Sequence, residues 1–437
     1  MNPRILVCAY ACAADPGAVF FGGGDLMAWN LIQRLSQTHR LWVLTAAQNE
    51  EAVRVALERD PTCHAHFVYI SLPAWLGPLL RHQGGLQLYA YLWQWRAYLV
   101  ARKLHRRIAF GAFHHLTYEN DWMGSIIGAL LPIPYLRGPA GGAHRAPKNF
   151  RRQFPARSRA WEYVRMGLQW VFRHDPFFLI SQERAKVLLM ANREALEALP
   201  ARWRKKAQLL SVNGISSHEL SPPEQRPQNG KLTVLSAGRL VPLKGFDLAL
   251  RAFARIAVQH PNAELVIVGE GPELDRLTNL RRELGVVTQV RFESWMPRER
   301  LLANMRDCDV FLFASVRDGG GLVVVEAMAA GKPVVCLDLG GPGLHINNAC
   351  GYKIPAHHPE QAVRDMAAAL EKLASDPNLR PRLGQAAYER AREIYDWDRV
   401  AERVIGAYEE TVACARPDLD ATQISERKWQ LANGKTH

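Results

Sequence analysis

Acidic residues are missing from two long stretches of this chain: none stands between Asp60 and Glu119, and none between Asp121 and Glu162. Uninterrupted apolar runs are also missing. A helix that crosses a bilayer needs roughly 18–20 such residues, and the nearest candidate, 124–136, is broken by Pro132 and Pro134. A spanning helix is therefore excluded. The seven cysteines, at 8, 12, 63, 308, 336, 350 and 414, include no CxxC pair and no metal-like cluster; they read as reduced thiols of a cytoplasmic protein. With 48% apolar and 22% charged residues, global disorder and fibrous architectures are excluded as well.

The 437 residues suit two domains of about two hundred each. Their charge is divided unevenly. Residues 1–216 carry a net +14 and residues 217–437 a net −1, so the first half is expected to meet something negative that the second need not. Arg4 and the apolar run after it superficially resemble a secretory leader. Because Gly22-Gly23-Gly24 and an amphipathic segment follow, the run reads instead as the first buried strand of an α/β domain.

Short apolar runs at 4–10, 41–45, 66–71, 112–117, 132–137, 177–181 and 208–212 alternate with helical patterns near 24–37, 48–59, 85–108, 119–129, 157–173 and 182–192. That alternation calls for a parallel sheet with helices on both faces. A polar, proline-rich stretch at 217–230 breaks it and reads as a linker. The grammar then restarts, with strands expected at 232–237, 264–269, 289–293, 310–314 and 333–337. The expected domains are 1–216 and 231–395, followed by a helix at 396–414 and a mobile tail at 415–437. Two doubly wound sheets so joined leave a cleft at the carboxyl ends of their strands.

Two segments carry chemistry. In Leu235-Ser-Ala-Gly238-Arg239-Leu-Val-Pro-Leu-Lys244-Gly245, a strand ends at Gly238, two cations emerge from the loop, and Gly245 opens a helix. Cations beside a helix N-terminus suit a dianionic group such as a diphosphate. In Arg317-Asp318-Gly319-Gly320-Gly321-Leu322, three glycines at a helix start let backbone amides approach an anion. Glu326 follows in the second turn, so Asp318 and Glu326 can accept hydrogen bonds from different hydroxyls of one elongated ligand. Asp307-Cys308-Asp309 imitates a metal-binding DxD, but it leads directly into a strand and reads as structural.

Together with Val268-Gly269-Glu270-Gly271-Pro272 and Asn213-Gly214-Ile215, these segments resemble the retaining GT-B glycosyltransferases of family 4 (glycosyl transferases group 1), which share a GRLxxxKG segment, a GEGP segment and an acidic-x7-Glu element. The resemblance implies two Rossmann-like domains facing across a cleft, with the last helix returning to the first domain near Tyr395 and Trp397. It implies that Arg239 and Lys244 neutralise a donor diphosphate, that Asp318 holds the transferred sugar, and that Glu326 holds the nucleotide ribose. The amides of Gly320, Gly321 and Leu322, with Gly319 beside them, would bind phosphate oxygens. Gly23, Gly24 and His144 would stand on the acceptor or sugar side. No cofactor and no metal are implied. The first acid of the pair is usually Glu, and Asp318 is one methylene shorter, which leaves the donor sugar open. Softer similarities, including Arg317-Asp318-Gly319 and Gly138-Pro-Ala-Gly-Gly142, point to the polysaccharide-assembly type.

The partners so implied are a nucleotide diphosphate sugar, uridine or guanosine left open, and a saccharide or lipid-linked acceptor. The acid-free stretches fit a third partner. Tyr91, Trp95, Tyr98, Arg102 and Arg106 fall on one helical face, and Arg137, Arg145, Lys148, Arg151, Arg152, Arg157 and Arg159 follow, a composition suited to peripheral docking on an anionic membrane from the cytoplasmic side. Two other readings compete. A nucleic-acid-binding protein would use the same charge but leaves Asp318, Glu326 and the glycines unexplained. A catalytically silent sugar-nucleotide binder would keep the pocket without turnover.

Overall fold

The computed structural model describes residues 3–13, 23–81, 83–117, 121–142, 144–223 and 232–414. Gly22, residues 224–230 of the proline-rich linker and the tail beyond 414 lie outside the described residues. The first sheet comprises β1 (Arg4–Ala9), β2 (Arg40–Ala46), β3 (His66–Ile70), β4 (Ala112–Thr117), β5 (Tyr135–Ala140), β6 (Ala185–Met190) and β7 (Ala207–Leu209) in the order β3-β2-β1-β4-β5-β6-β7. The second comprises β8 (Thr233–Ala237), β9 (Glu264–Val268), β10 (Val290–Glu293), β11 (Val310–Phe313), β12 (Val334–Leu337) and β13 (Gly351–Ile354) in the order β10-β9-β8-β11-β12-β13. The strand pairs are parallel. Both sheets are doubly wound and the fold is GT-B: two Rossmann-like domains. In each sheet the strand order reverses at one place, between β1 and β4 and between β8 and β11. Such switch points open a crevice at the strand ends.

The helices that position the site are α1 (Gly23–Thr38), α2 (Gln83–Ile108), α3 (Ala156–Arg173), α4 (Pro176–Arg184), α5 (Phe246–Ala257), α6 (Arg298–Asp307), α7 (Leu322–Ala329), α8 (Gly340–His345) and α9 (Trp397–Ala413). Three expectations are corrected here. The apolar run 177–181 is helical, because the Asp175 side chain accepts from Phe177 N at 3.2 Å and Pro176 occupies the first turn, a strong helix start. The helix expected at 182–192 is instead β6, paired between β5 and β7. The aromatic stripe on α2 is largely packing. Tyr91 donates to Asp175 Oδ2 at 2.9 Å and meets the Phe172 ring, Trp95 sits edge-on to Phe177 at 5.0 Å, and Tyr98 leans on the first domain's core. The strand β13 is an addition that the sequence pattern did not signal.

The chain crosses between the domains twice, and the crossings are bonded to one another. Ile215 N donates to Tyr395 O at 2.7 Å, and Trp397 N donates to Ile215 O at 3.1 Å. Beyond this bridge α9 lies on the first sheet, burying Trp397, Val400, Val404 and Tyr408 among residues of β1, β2 and α1. Tyr408 OH also meets His114 Nδ1 at 2.8 Å, and His115 Nδ1 meets Ser125 Oγ at 2.8 Å. Those two histidines are satisfied core residues. A Cβ on Gly214 would lie 2.3 Å from the Trp397 ring, so only glycine lets the first strand of the hinge pass.

Trp397→Ala removes a fully buried ring and is expected to lower unfolding free energy by about 3–5 kcal/mol. Urea denaturation checks this; a loss below about 1 kcal/mol would mean that α9 is not fastened to the first domain.

Candidate active site

The β8/β11 switch point gathers the two chemical segments of the sequence. β8 ends at Ala237, and a Cβ on Gly269 would come within 2.0 Å of the O of Gly238, the next residue, so the loops after β8 and β9 run in contact. Leu240 N donates to Glu270 O at 2.7 Å and holds them together. The chain then makes a short turn to Gly245, whose φ of +64° and approach to Ala314 O exclude a side chain. That turn brings Lys244 to the end of β11. Its ammonium donates to Asp318 Oδ2 and lies 5.3 Å from the centre of the Phe313 ring. Arg239 is exposed at the mouth, with no ion-pair partner among the described residues.

The two acids face the same space in different electrostatic states. Asp318 Oδ1 accepts from Gly321 N at 2.8 Å. Burial pushes its pKa upward, but the Lys244 charge and these hydrogen bonds outweigh burial and hold it below the ordinary carboxylate range. Glu326, 4% exposed in the second turn of α7, accepts from Arg298 Nε at 2.7 Å. Burial raises its pKa, and Arg298 offsets only part of that rise. Arg298, at the start of α6, also binds Glu219.

Arg239, Lys244, Asp318, Glu326, Gly320, Gly321, Leu322 and Gly24 line one cavity of about 730 Å³ between the domains. Gly23 begins α1 immediately before Gly24. Gly319 and His144 face each other beside the cavity, a Cβ on Gly319 falling 3.5 Å from His144 Cε1. The Gly321 amide is engaged by Asp318, and Leu322 and Val323, the first residues of α7, line the cavity at the helix start, where the first backbone N–H groups of a helix lack intrahelical acceptors. Glu270, Trp295 and Met296 complete the wall. Asp309 of the DxD-like triplet accepts from Thr233 N at 2.7 Å and fixes the start of β8.

Residues far apart in sequence hold the glycine loop. His345 Nε2 meets Gly320 O at 2.5 Å and its Nδ1 meets Tyr395 OH at 2.9 Å, tying that loop to the hinge. Burial lowers its pKa to about 4, so the ring is neutral and donates from one nitrogen while accepting at the other. Asn192 Nδ2 donates to Gly319 O at 3.2 Å, and both Glu162 oxygens accept from Arg317 Nη1 at 2.7 Å, all across the domain junction. His144 is neutral too, its pKa lowered to about 4 by burial and by Arg317 and Arg165, and neither ring nitrogen has a hydrogen-bond partner among the described residues. Arg298, His345, Glu162 and Val323 were not singled out by sequence. Their signal is a partner far along the chain, which one sequence does not display.

Arg298→Ala leaves Glu326 buried without its cation. A stability loss at the low end of about 3–5 kcal/mol is expected at pH 8, because Arg298 is partly exposed. The folded Glu326 then holds its proton more tightly than the unfolded chain does, so the variant's deficit shrinks as pH falls toward 5. Thermal melts across that range check the sign, and a deficit independent of pH would contradict the pairing.

Comparison with known proteins agrees with this fold. Residues 217–390 match the family model described as Glycosyl transferases group 1. Over 197 residues the chain is 32% identical to glycogen synthase of Mycobacterium tuberculosis, covering 45% of this chain and 47% of that protein. Over 181 residues it is 36% identical to the D-inositol 3-phosphate glycosyltransferase of Corynebacterium jeikeium, covering 40% and 42%. The chain thus spans about half the length of the curated relatives it matches. Among solved structures, sucrose-phosphate synthase from Thermosynechococcus elongatus superposes with a TM-score of 0.63 at 18% identity, covering 94% of this chain and 100% of that one. Anabaena Alr3699/HepE, solved in complex with UDP and glucose, superposes with a TM-score of 0.58 at 16% identity, covering 93% and 100%. Residues 217–390 are therefore similar to the Glycosyl transferases group 1 family, and they are set within a fold of two doubly wound, Rossmann-like domains.

Proposed function

We propose that the chain is a retaining, family 4 glycosyltransferase that moves a hexosyl group from a nucleotide diphosphate sugar to a membrane-associated acceptor, lipid-linked or polysaccharide, in bacterial cell-surface or exopolysaccharide synthesis. It would work on the cytoplasmic face of the membrane. The observation that carries this reading is the single cavity shared by Arg239, Lys244, Asp318, Glu326 and the start of α7. The family match over 217–390 and the similarity to glycogen synthase and to D-inositol 3-phosphate glycosyltransferase support it.

In the proposed reaction the anomeric carbon–oxygen bond to the diphosphate breaks while the acceptor hydroxyl forms a new one on the same face. The acceptor proton passes to the departing phosphate oxygen, leaving a glycoside and a nucleoside diphosphate. Negative charge grows on the leaving group, and Arg239, Lys244 and the Leu322 and Val323 amides would stabilise it more than the ground state, which is the part of binding that accelerates reaction. Glu326 would accept from the ribose hydroxyls. Asp318 would hold sugar hydroxyls and orient Lys244, whose ammonium it already binds. Because the chain's own cations serve the leaving group, the reading is of metal-independent transfer.

Nucleoside diphosphate release from a panel of uridine and guanosine sugars tests the proposal. Lys244→Ala is expected to cut turnover about 10²–10³-fold, the usual cost of removing one transition-state donor. Chelator is expected to leave the parent rate unchanged. Parent-like rates in the variant, or donor binding without release, would overturn the assignment, the latter in favour of a silent binder.

A further inference from the structure

α3 presents an apolar face to the outside that nothing among the described residues covers. Trp161, Val164, Leu168 and Val171 follow one another at intervals of three and four, and Tyr163 and Trp170 flank them; all six are between 43% and 64% exposed. This spacing is that of a helix side meant to be buried. The helix cannot roll to bury it. On its inner side Glu162, 2% exposed, holds Arg317 with both oxygens, and Arg165 Nη1 donates to Gly142 O at 3.0 Å. Those bonds fix which side points away from the protein.

The charge around the face has one sign. From 122 to 174 the chain holds nine basic residues and a single acid, and that acid is Glu162, already neutralised inside. Arg157 and Arg159 are exposed in the first turns of α3, and Arg152, Lys148 and Arg145 are exposed just before it. Tryptophan and tyrosine rings beside guanidinium groups match the boundary between headgroups and acyl chains, where rings insert shallowly and cations meet lipid phosphates. A second copy of this chain would bring a net charge of +13 to the same basic patch, whereas an anionic lipid surface brings the opposite sign.

We infer that α3 is a membrane-docking helix that seats its Trp161–Val171 side in an anionic lipid surface. The inference deepens the proposed function, since it assigns the surface through which the membrane-associated acceptor would be brought to the cleft. It also moves the docking role from the α2 stripe, whose rings are engaged in packing, to α3.

Flotation of the full chain with phosphatidylcholine vesicles, with and without phosphatidylglycerol, tests it, with no donor or acceptor present. Binding is expected only with phosphatidylglycerol and is expected to weaken as salt rises. Trp161→Glu combined with Leu168→Glu should weaken it at least about tenfold, and Arg157→Gln with Arg159→Gln by about tenfold or more, while melting temperatures stay near the parent's. Equal binding by the parent and both folded double variants would overturn the inference, as would no binding by the parent. A concentration-dependent dimer in sedimentation that Trp161→Glu abolishes, with no vesicle binding, would assign the face to a second copy instead. Because the vesicles carry no saccharide, failure here leaves the transferase reading standing, and failure of donor turnover leaves the docking result standing.

Discussion

The Lys244–Asp318 ion pair is the interaction on which the site depends. It joins the loop after β8 to the loop after β11 at the place where the second sheet's strand order reverses, and both side chains are less than one-fifth exposed. An ammonium and a carboxylate held so far from water must stay paired or find other partners. Here the pair borders an open cavity, so a bound diphosphate and sugar hydroxyls could each take one of the partners without leaving a charge stranded. Glycines make the approach possible: Gly245 and Gly321 adopt φ of +64° and +70°, and neither position has room for a Cβ.

The two domains meet through specific polar contacts as well as covalent crossings. Ile215 and Trp397 bond the crossings together, His345 joins the Tyr395 hydroxyl to the glycine loop, and Glu162 of the first domain holds Arg317, the neighbour of Asp318. A rotation of one domain against the other would therefore be felt at Asp318 through Arg317 and at Gly319 through Asn192. The same Glu162 fixes the outward side of α3, so the basic, aromatic surface of the first half and the donor pocket of the second are mechanically adjacent.

Much of this was legible in the sequence because strand–helix alternation places loop motifs at strand ends. The cations after β8 and the acids after β11 could each be placed at a strand's carboxyl end, where a doubly wound sheet leaves its cleft, and it was the family resemblance that grouped Arg239, Lys244, Asp318 and Glu326 round one ligand. Residues 177–190 were misread because short apolar runs do not distinguish a buried strand from a helix; the Asp175-Pro176 helix start was the decisive local signal. The aromatic face was assigned to α2 rather than α3 for a related reason. Periodicity shows that a helix has an apolar side but not whether that side meets the protein or the outside. Arg298 and His345 escaped notice because their partners, Glu219, Glu326, Gly320 and Tyr395, lie 25 or more residues away.

The most direct test of the central claim is a crystal structure of the chain with UDP or GDP bound. The account predicts the diphosphate between Lys244 and the first amides of α7, the ribose on Glu326, and the Lys244–Asp318 contact lengthened or shared. A nucleotide seated elsewhere, with that ion pair unchanged and the cavity at the β8/β11 switch point empty, would contradict it.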